Sequence, residues 1–192
     1  MPVLIVTLFW WVIGSFWIIS YPRHTRYWQN YLAIRLFNGF FFFVPLLVAL
    51  SALHQIDSSL VLLLLVLIWA ADSGAYFVGR AIGKNKLLPN VSPGKTIEGA
   101  AGGALLSLSV MLIYVYFSFE HADFEKYFFY SVLSLITTLA SILGDLFESL
   151  HKRIADVKDS GVLLPGHGGF FDRIDSLTAS APIFFLAYSF LT

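Results

Sequence analysis

The sequence predicts an all-α protein, a polytopic integral-membrane helical bundle with about six transmembrane helices. Of its 192 residues, 58% are hydrophobic and 12% are charged, whereas roughly 25% of the residues in soluble domains are charged. Six segments are long and apolar enough to cross a bilayer, which takes about 20 mostly apolar residues. Twelve basic residues balance twelve acidic ones, so the chain lacks the excess of positive charge that is typical of nucleic-acid binding.

The charged residues separate six apolar segments, which we expect to be the membrane spans. They cover residues 2–20, 36–53, 60–79, 99–119, 127–144 and 176–192. Asp72 lies inside the third segment, and an acid within a span is a functional candidate because a charge in lipid is costly. The alternative is that Asp72 pairs with a nearby Arg such as Arg80 during assembly. No repeat or linker divides the chain, so residues 1–192 are expected to form a single transmembrane domain.

The distribution of basic residues predicts the orientation of the spans. Eleven of the twelve Lys and Arg residues lie in the first, third and fifth connecting loops, and Lys126 alone lies in the fourth. Basic residues are retained on the cytoplasmic side of a membrane. We therefore expect the odd-numbered loops to face the cytoplasm and both termini to face away from it.

Two pairs of acids flank the fifth loop. Asp145 and Glu148 are three residues apart at the end of the fifth span, and Asp172 and Asp175 repeat this spacing at the start of the sixth. Residues at i and i+3 share a helical face, so four carboxylates would converge if the two helices are neighbours. Such oxygen donors suit a hard divalent cation such as Mg²⁺. The alternative is a pair of capped helix ends with exposed ion pairs.

The segment between the acid pairs is cationic and rich in glycine. It contains Lys152, Arg153 and Lys158, and then Pro165, Gly166, His167, Gly168 and Gly169. Glycines let backbone N–H groups approach an anion, and Lys or Arg neutralises charge on phosphoryl oxygens. The pattern favours the binding of a polyphosphate with a metal. His167 either donates to a phosphate, orients a water or has a structural role.

The third loop offers a second candidate phosphate site, residues 92–96. We expect Ser92 to cap the fourth helix and Pro93 to be its first residue, which places Lys95 in a first turn that attracts phosphate. Simple capping is the alternative. The segment is not a P-loop, because Pro89 stands where that motif needs glycine.

Two further expectations concern packing. Gly79 with Gly83, and Gly99 with Gly103, have the spacing of small residues that lets membrane helices approach closely. The tryptophans, including Trp10 and Trp11, and the phenylalanines are expected to face lipid or the membrane interface.

The run from residue 149 to 175, SLHKRIADVKDSGVLLPGHGGFFDRID, resembles the signature of the phosphatidate cytidylyltransferase family, also called CDP-diacylglycerol synthases. The matching positions are Ser149, Lys152, Arg153, Lys158, Asp159, Gly161, Pro165, His167, Gly168, Gly169, Asp172, Arg173 and Asp175. Residues 72–76 and 92–96 are similar to two further stretches of the family and come in the same order. The resemblance covers about residues 60 to 180.

The resemblance implies a nucleotidyltransferase of phospholipid biosynthesis that joins CTP to phosphatidic acid with Mg²⁺, forming CDP-diacylglycerol and pyrophosphate. By motif position it implies that Asp145 and Asp172 hold the metal; K⁺ is a candidate second cation. The resemblance and the residue pattern together indicate seven catalytic candidates: Lys152, Arg153, Lys158, Asp159, His167, Arg173 and Asp175. The substrate-binding candidates are Asp72, Ser92, Gly94, Lys95, Thr96, Gly168 and Gly169.

The resemblance also bears on the setting of the enzyme. With the charge distribution, we expect the active site to face the cytoplasm, in the inner or cytoplasmic membrane if the protein is bacterial, and a homodimer is left open. Members of the family carry further hydrophobic segments at the N-terminus, so we expect residues 1–192 to form the catalytic domain without those helices. Two alternatives remain open: a CTP-dependent enzyme that acts on another lipid phosphate or a polyprenol, and a membrane transporter whose acids form an ion pathway.

Overall fold

Helices dominate the computed structural model, which describes residues 2–23, 31–161 and 169–191. The helices are α1 (Pro2–Ser20), α2 (Leu32–Ile56), α3 (Ser58–Ile82), α4 (Ile97–Ser118), α5 (Phe124–Ile154) and α6 (Asp175–Leu191). The first five are long and apolar enough to cross a membrane, and α6 has 17 residues. The predicted class, an all-α polytopic membrane protein, is confirmed.

Helix α5 extends well beyond the predicted span. The apolar segment ends near Gly144, but the helix continues through Lys152 and Arg153 to Ile154. Leu, Glu, Lys and Arg all have high helix propensity, so the helix does not end where the apolar segment ends. As a result, the first acid pair and the first two cations of the fifth loop belong to one rigid helix.

The third loop forms a β-hairpin, and the predicted helix start there is wrong. Strand β1 (Lys86–Leu88) pairs antiparallel with β2 (Ser92–Thr96). Ser92 and Pro93 are therefore strand residues. Proline fits here because a two-stranded sheet consists only of edge strands. Thr96 is the true N-cap of α4: its Oγ1 accepts a hydrogen bond from the Gly99 N–H at 3.1 Å.

Small residues let α3 and α4 approach each other closely, as the glycine spacing predicts. A Cβ built on Gly103 would lie 2.5 Å from the carbonyl oxygen of Ala71, and one on Gly99 would lie 3.3 Å from the Cα of Gly79. The first contact leaves no room for a side chain, and a Cβ on Gly99 would also lie 2.8 Å from the carbonyl oxygen of Ala75. The packing interpretation of Gly79, Gly99 and Gly103 is confirmed.

An aromatic cluster joins α1, α2 and α5, and it corrects the expectation that these rings face lipid. Trp10 and Trp11 are 4% and 2% exposed, and Phe147 is fully buried. The centroids of Trp10 and Phe147 are 4.9 Å apart, in edge-to-face geometry. The rings lie inside the bundle because three helices meet there and aromatic edges pack well on aromatic faces. Other aromatic residues, such as Phe40 at 48% exposed, do face outward.

Candidate functional site

Three carboxylates converge where α5 meets α6. Asp145 and Glu148 lie on α5, Asp175 is the first residue of α6, and oxygens from the three side chains lie within 4.8 Å of one another. Gly144 permits this approach, since a Cβ on it would lie 2.5 Å from the carbonyl oxygen of Asp175. The fifth and sixth helices are therefore neighbours, but three of the four paired acids meet in this group and Asp172 is not one of them.

The hairpin adds a lysine to this cluster. The Nζ of Lys95 lies 2.5 Å from the Asp145 carboxylate, and the two side chains are 25% and 30% exposed. Lys95 lies on β2, not in a helical turn as expected, so its position depends on the hairpin. The candidate residues of the third and fifth loops therefore meet in one site.

A second lysine connects Glu148 and Asp172. The Nζ of Lys152 lies 2.5 Å from Glu148, which is 1% exposed, and 2.8 Å from the Oδ1 of Asp172. Asp172 lies in a short 3₁₀ helix, Phe171–Arg173, directly before α6. A buried carboxylate needs such a partner, since an unpaired buried charge costs several kcal/mol.

Asp172 is also held by the backbone around it. Its Oδ2 accepts hydrogen bonds from the N–H groups of Ser160 and Gly169 at 3.0 and 2.8 Å. Burial raises the pKa of Asp172, but the side chains of Glu148 and Lys152 and these backbone donors outweigh it, so the pKa lies below the ordinary range of a carboxyl. Asp172 is therefore an anion that fixes the end of the glycine-rich segment.

The other candidates of the fifth loop have different surroundings. Arg153 donates from Nε to the carbonyl oxygen of Val91 at 3.2 Å, so it contacts the turn of the hairpin. Lys158, Asp159 and Arg173 are exposed. His167 and Gly168 lie outside the described residues.

A cavity of about 460 Å³ opens beside the Lys95–Asp145 pair. One face of α3 forms a wall of it, with Asp72, Ala75, Tyr76, Gly79 and Arg80. The hairpin contributes Gly94, Lys95 and Thr96. Of the predicted substrate-binding residues, Asp72 and these three line the cavity, whereas Ser92 does not appear in its lining.

The alternative reading of Asp72 does not match the structure. Both Asp72 and Arg80 are described, and the ion pairs of the described residues do not join them. Arg80 instead donates from Nη1 to the hydroxyl oxygen of Tyr76 at 2.7 Å. Neither Tyr76 nor Arg80 is among the predicted substrate-binding residues, although their spacing of four and eight residues from Asp72 places all three on one helical face.

Glu98 is a further residue that sequence reasoning missed. Its carboxylate accepts hydrogen bonds from the N–H of Lys84 at 3.2 Å, and from the N–H and side-chain amide of Asn85 at 3.2 and 2.7 Å. These bonds fasten the segment before β1 to the first turn of α4. The only local signal was an acid in a first turn, which is common and does not identify the partner.

The chain is similar to known proteins over nearly its whole length. A family profile described as "Cytidylyltransferase family" matches residues 1–191. The chain is 43% identical to a phosphatidate cytidylyltransferase of Haemophilus influenzae, in an alignment that covers 98% of this chain and 68% of that protein. It is 40% identical to one of Pseudomonas aeruginosa, over 95% of this chain and 67% of that protein. A Bacillus subtilis protein of the same name is 46% identical over 62% of this chain and 44% of its own length.

Proposed function

The chain belongs to the cytidylyltransferase family, and from this premise we propose that it transfers the cytidylyl group of CTP to phosphatidic acid, giving CDP-diacylglycerol and pyrophosphate. One observation carries the proposal: Asp145 is paired with Lys95 and lies in a carboxylate cluster with Glu148 and Asp175, at the edge of a cavity. Anionic ligands for a metal and cations for phosphate are thus adjacent, in an integral-membrane protein.

The reaction needs no nucleophile from the protein. A phosphate oxygen of phosphatidic acid attacks the α-phosphorus of CTP and forms a new P–O bond. The bond from the α-phosphorus to the oxygen that bridges to the β-phosphate breaks, and its electron pair leaves with pyrophosphate. Because both substrates are polyanions, the protein must hold them together against their repulsion and stabilise charge in the transition state.

The residues present suit a divalent cation. Hard oxygen donors are the ligands that Mg²⁺ prefers, and it commonly binds through one or two carboxylates plus substrate phosphates. Asp145 and Asp172 would hold it, with Glu148 and Asp175 beside them. When bound, Mg²⁺ neutralises charge on phosphate oxygens. A second cation such as K⁺ stays a prediction.

Two lysines connect metal binding with phosphate binding. Lys95 pairs with Asp145, and Lys152 pairs with Asp172 and Glu148. A metal held by these carboxylates would compete with both ammonium groups. Each lysine would then be available to pair with a phosphate.

The other fifth-loop candidates take supporting roles in the proposal. Lys158, Asp159 and Arg173 are exposed. The two cations would balance phosphate charge, and Asp159 and His167 remain catalytic candidates from the motif alone. Arg153 acts through the hairpin turn that it contacts. Gly94, Thr96 and Asp72 line the cavity for substrate, whereas Ser92, Gly168 and Gly169 remain candidates from the motif alone.

The setting of the reaction follows from the charge distribution. We place the active site on the cytoplasmic side, where the basic loops are expected and where CTP is available. Residues 1–192 act as one catalytic domain, the acyl chains of the substrate stay in lipid, and a homodimer is compatible with this arrangement. No nucleic acid takes part.

The test is pyrophosphate release by the purified chain in detergent, with CTP, phosphatidic acid and Mg²⁺. Asp145→Asn should lower kcat/KM about 100-fold. Asp156→Asn is the matched control, because Asp156 is an exposed acid just after α5 with φ of 53°, a conformation that asparagine tolerates. Turnover with a polyprenyl phosphate but not with phosphatidic acid would support the other lipid-phosphate enzyme. Solute flux without nucleotide turnover would support the transporter.

A further inference from the structure

The α3 wall of the cavity carries an arginine with an unusual partner. Arg80 donates from Nη1 to the hydroxyl oxygen of Tyr76, and its guanidinium carbon lies 6.0 Å from the centroid of the tyrosine ring. Both residues line the cavity. Arg80 forms no ion pair with a carboxylate of the described residues. The charge of Arg80 is therefore held in place by a neutral group, and the described residues offer it no carboxylate.

The Arg80–Tyr76 pair presents hydrogen-bond donors to the cavity. The tyrosine oxygen already accepts from Arg80, so its own O–H is free to donate elsewhere. A guanidinium has five N–H donors, and among the described residues only one of them is used. Positive charge with several convergent donors matches the oxygens of a phosphate, for which arginine is particularly suited.

The location of the pair indicates where such a phosphate comes from. Arg80 is two residues from the end of α3 at Ile82, and the ends of a span lie at headgroup depth. Tyr76 and its neighbour Phe77 are 57% and 67% exposed. This side of the cavity thus faces out of the helical bundle, toward lipid. The Lys95–Asp145 pair comes from the hairpin and α5, on different walls.

We propose that Arg80, oriented by Tyr76, binds the phosphate monoester of the lipid substrate and selects it over lipids that lack this group. The inference rests on the proposed function. It divides the cavity: the lipid phosphate meets Arg80 at the bilayer side, and the nucleotide phosphates meet Lys95. The chemistry that Arg80 recognises is shared by lipid phosphate and by the phosphates of CTP, so the experiment must separate the two sources.

The experiment has a kinetic arm and a binding arm. KM is measured separately for dioctanoyl phosphatidic acid and for CTP, in wild type, Arg80→Ala, Arg80→Lys and Tyr76→Phe. Binding of dioctanoyl phosphatidic acid without CTP is measured by calorimetry, with dioctanoylglycerol and inorganic phosphate as ligands that carry only one part of the lipid. Lys86→Ala is the matched control, since Lys86 is an exposed cation on the neighbouring strand that does not line the cavity.

Hydrogen bonds to a charged group contribute about 1.5–3 kcal/mol to binding, so Arg80→Ala should raise KM for the lipid about tenfold or more. KM for CTP should stay within about twofold, Arg80→Lys and Tyr76→Phe should show smaller lipid effects, and Lys86→Ala should behave as wild type. An unchanged lipid KM, or an equal rise for CTP, overturns the proposal. If the wild type turns over no substrate, the proposed function fails. The binding arm then still decides the role of Arg80: equal lipid binding by wild type and Arg80→Ala overturns it.

Discussion

Lys95 on the hairpin and Asp145 on α5 form an ion pair of 2.5 Å at the edge of the cavity. The pair joins two segments that are far apart in the sequence. It also means that the position of Lys95 relative to the acid cluster depends on the hairpin, on α4 behind it, and on the packing of α5. Changes in any of these elements should therefore lower the activity.

Replacing Lys95 by alanine should lower kcat/KM about 100-fold, a loss typical of a charged group that stabilises a transition state. Asp145→Asn should do the same. The double variant should lose little more activity than the more impaired single variant, because the effects of substitutions at paired residues do not add. The measurement is pyrophosphate release, with Lys86→Ala as control. Additive losses in the double variant would show that Lys95 and Asp145 act independently.

The close approach of α5 and α6 predicts the effect of Gly144→Ala. The added methyl group meets the backbone of Asp175 at 2.5 Å, and overpacking of this kind costs about 1–3 kcal/mol. We expect a lower midpoint of thermal unfolding in detergent and a loss of activity, since Asp175 is displaced from Asp145 and Glu148.

Gly39→Ala provides the matched control for this change. Gly39 lies within α2, and a Cβ on it meets no atom within 4 Å. Alanine is a better helix former than glycine by up to about 1 kcal/mol, so the control should be as stable as wild type or more so, with full activity. Equal behaviour of the two variants would contradict the assigned contact.

The hydrogen bonds of Glu98 predict that its substitution destabilises the hairpin while the helices stay folded. Glu98→Ala removes the acceptor for Lys84 and Asn85, so hydrogen exchange in residues 84–96 should speed up and kcat should fall. Glu98→Gln retains one carbonyl oxygen and should recover part of both properties. A loss of activity with unchanged exchange in the hairpin would show that Glu98 does not act by positioning Lys95.

Sequence reasoning succeeded where the relevant physics is local. The spans follow from continuous apolar length, and Asp145 and Glu148 follow from helical spacing. It failed for contacts between distant segments. Nothing near Trp10 indicates that α1, α2 and α5 meet around it, and nothing near Arg153 identifies Val91 as its partner. Ser92 and Pro93 suit a helix start as well as a strand, and only the pairing with β1 decides between them.

Lys152 allows metal binding to be tested separately from turnover. Lys152→Met removes the ammonium between Glu148 and Asp172 and leaves buried Glu148 without its counter-ion, which costs about 3–5 kcal/mol when no other cation replaces it. In EDTA the variant should therefore unfold at a lower temperature than wild type. Because Mg²⁺ no longer competes with the lysine, it should stabilise the variant at lower concentration and by a larger amount than it stabilises wild type. Activity should stay low, since no lysine at this position neutralises the phosphate charge.

Lys158→Met is the control. Lys158 is exposed, and the variant should match wild type in its response to Mg²⁺. An equal Mg²⁺ response in Lys152→Met and wild type would show that the metal does not use these carboxylates.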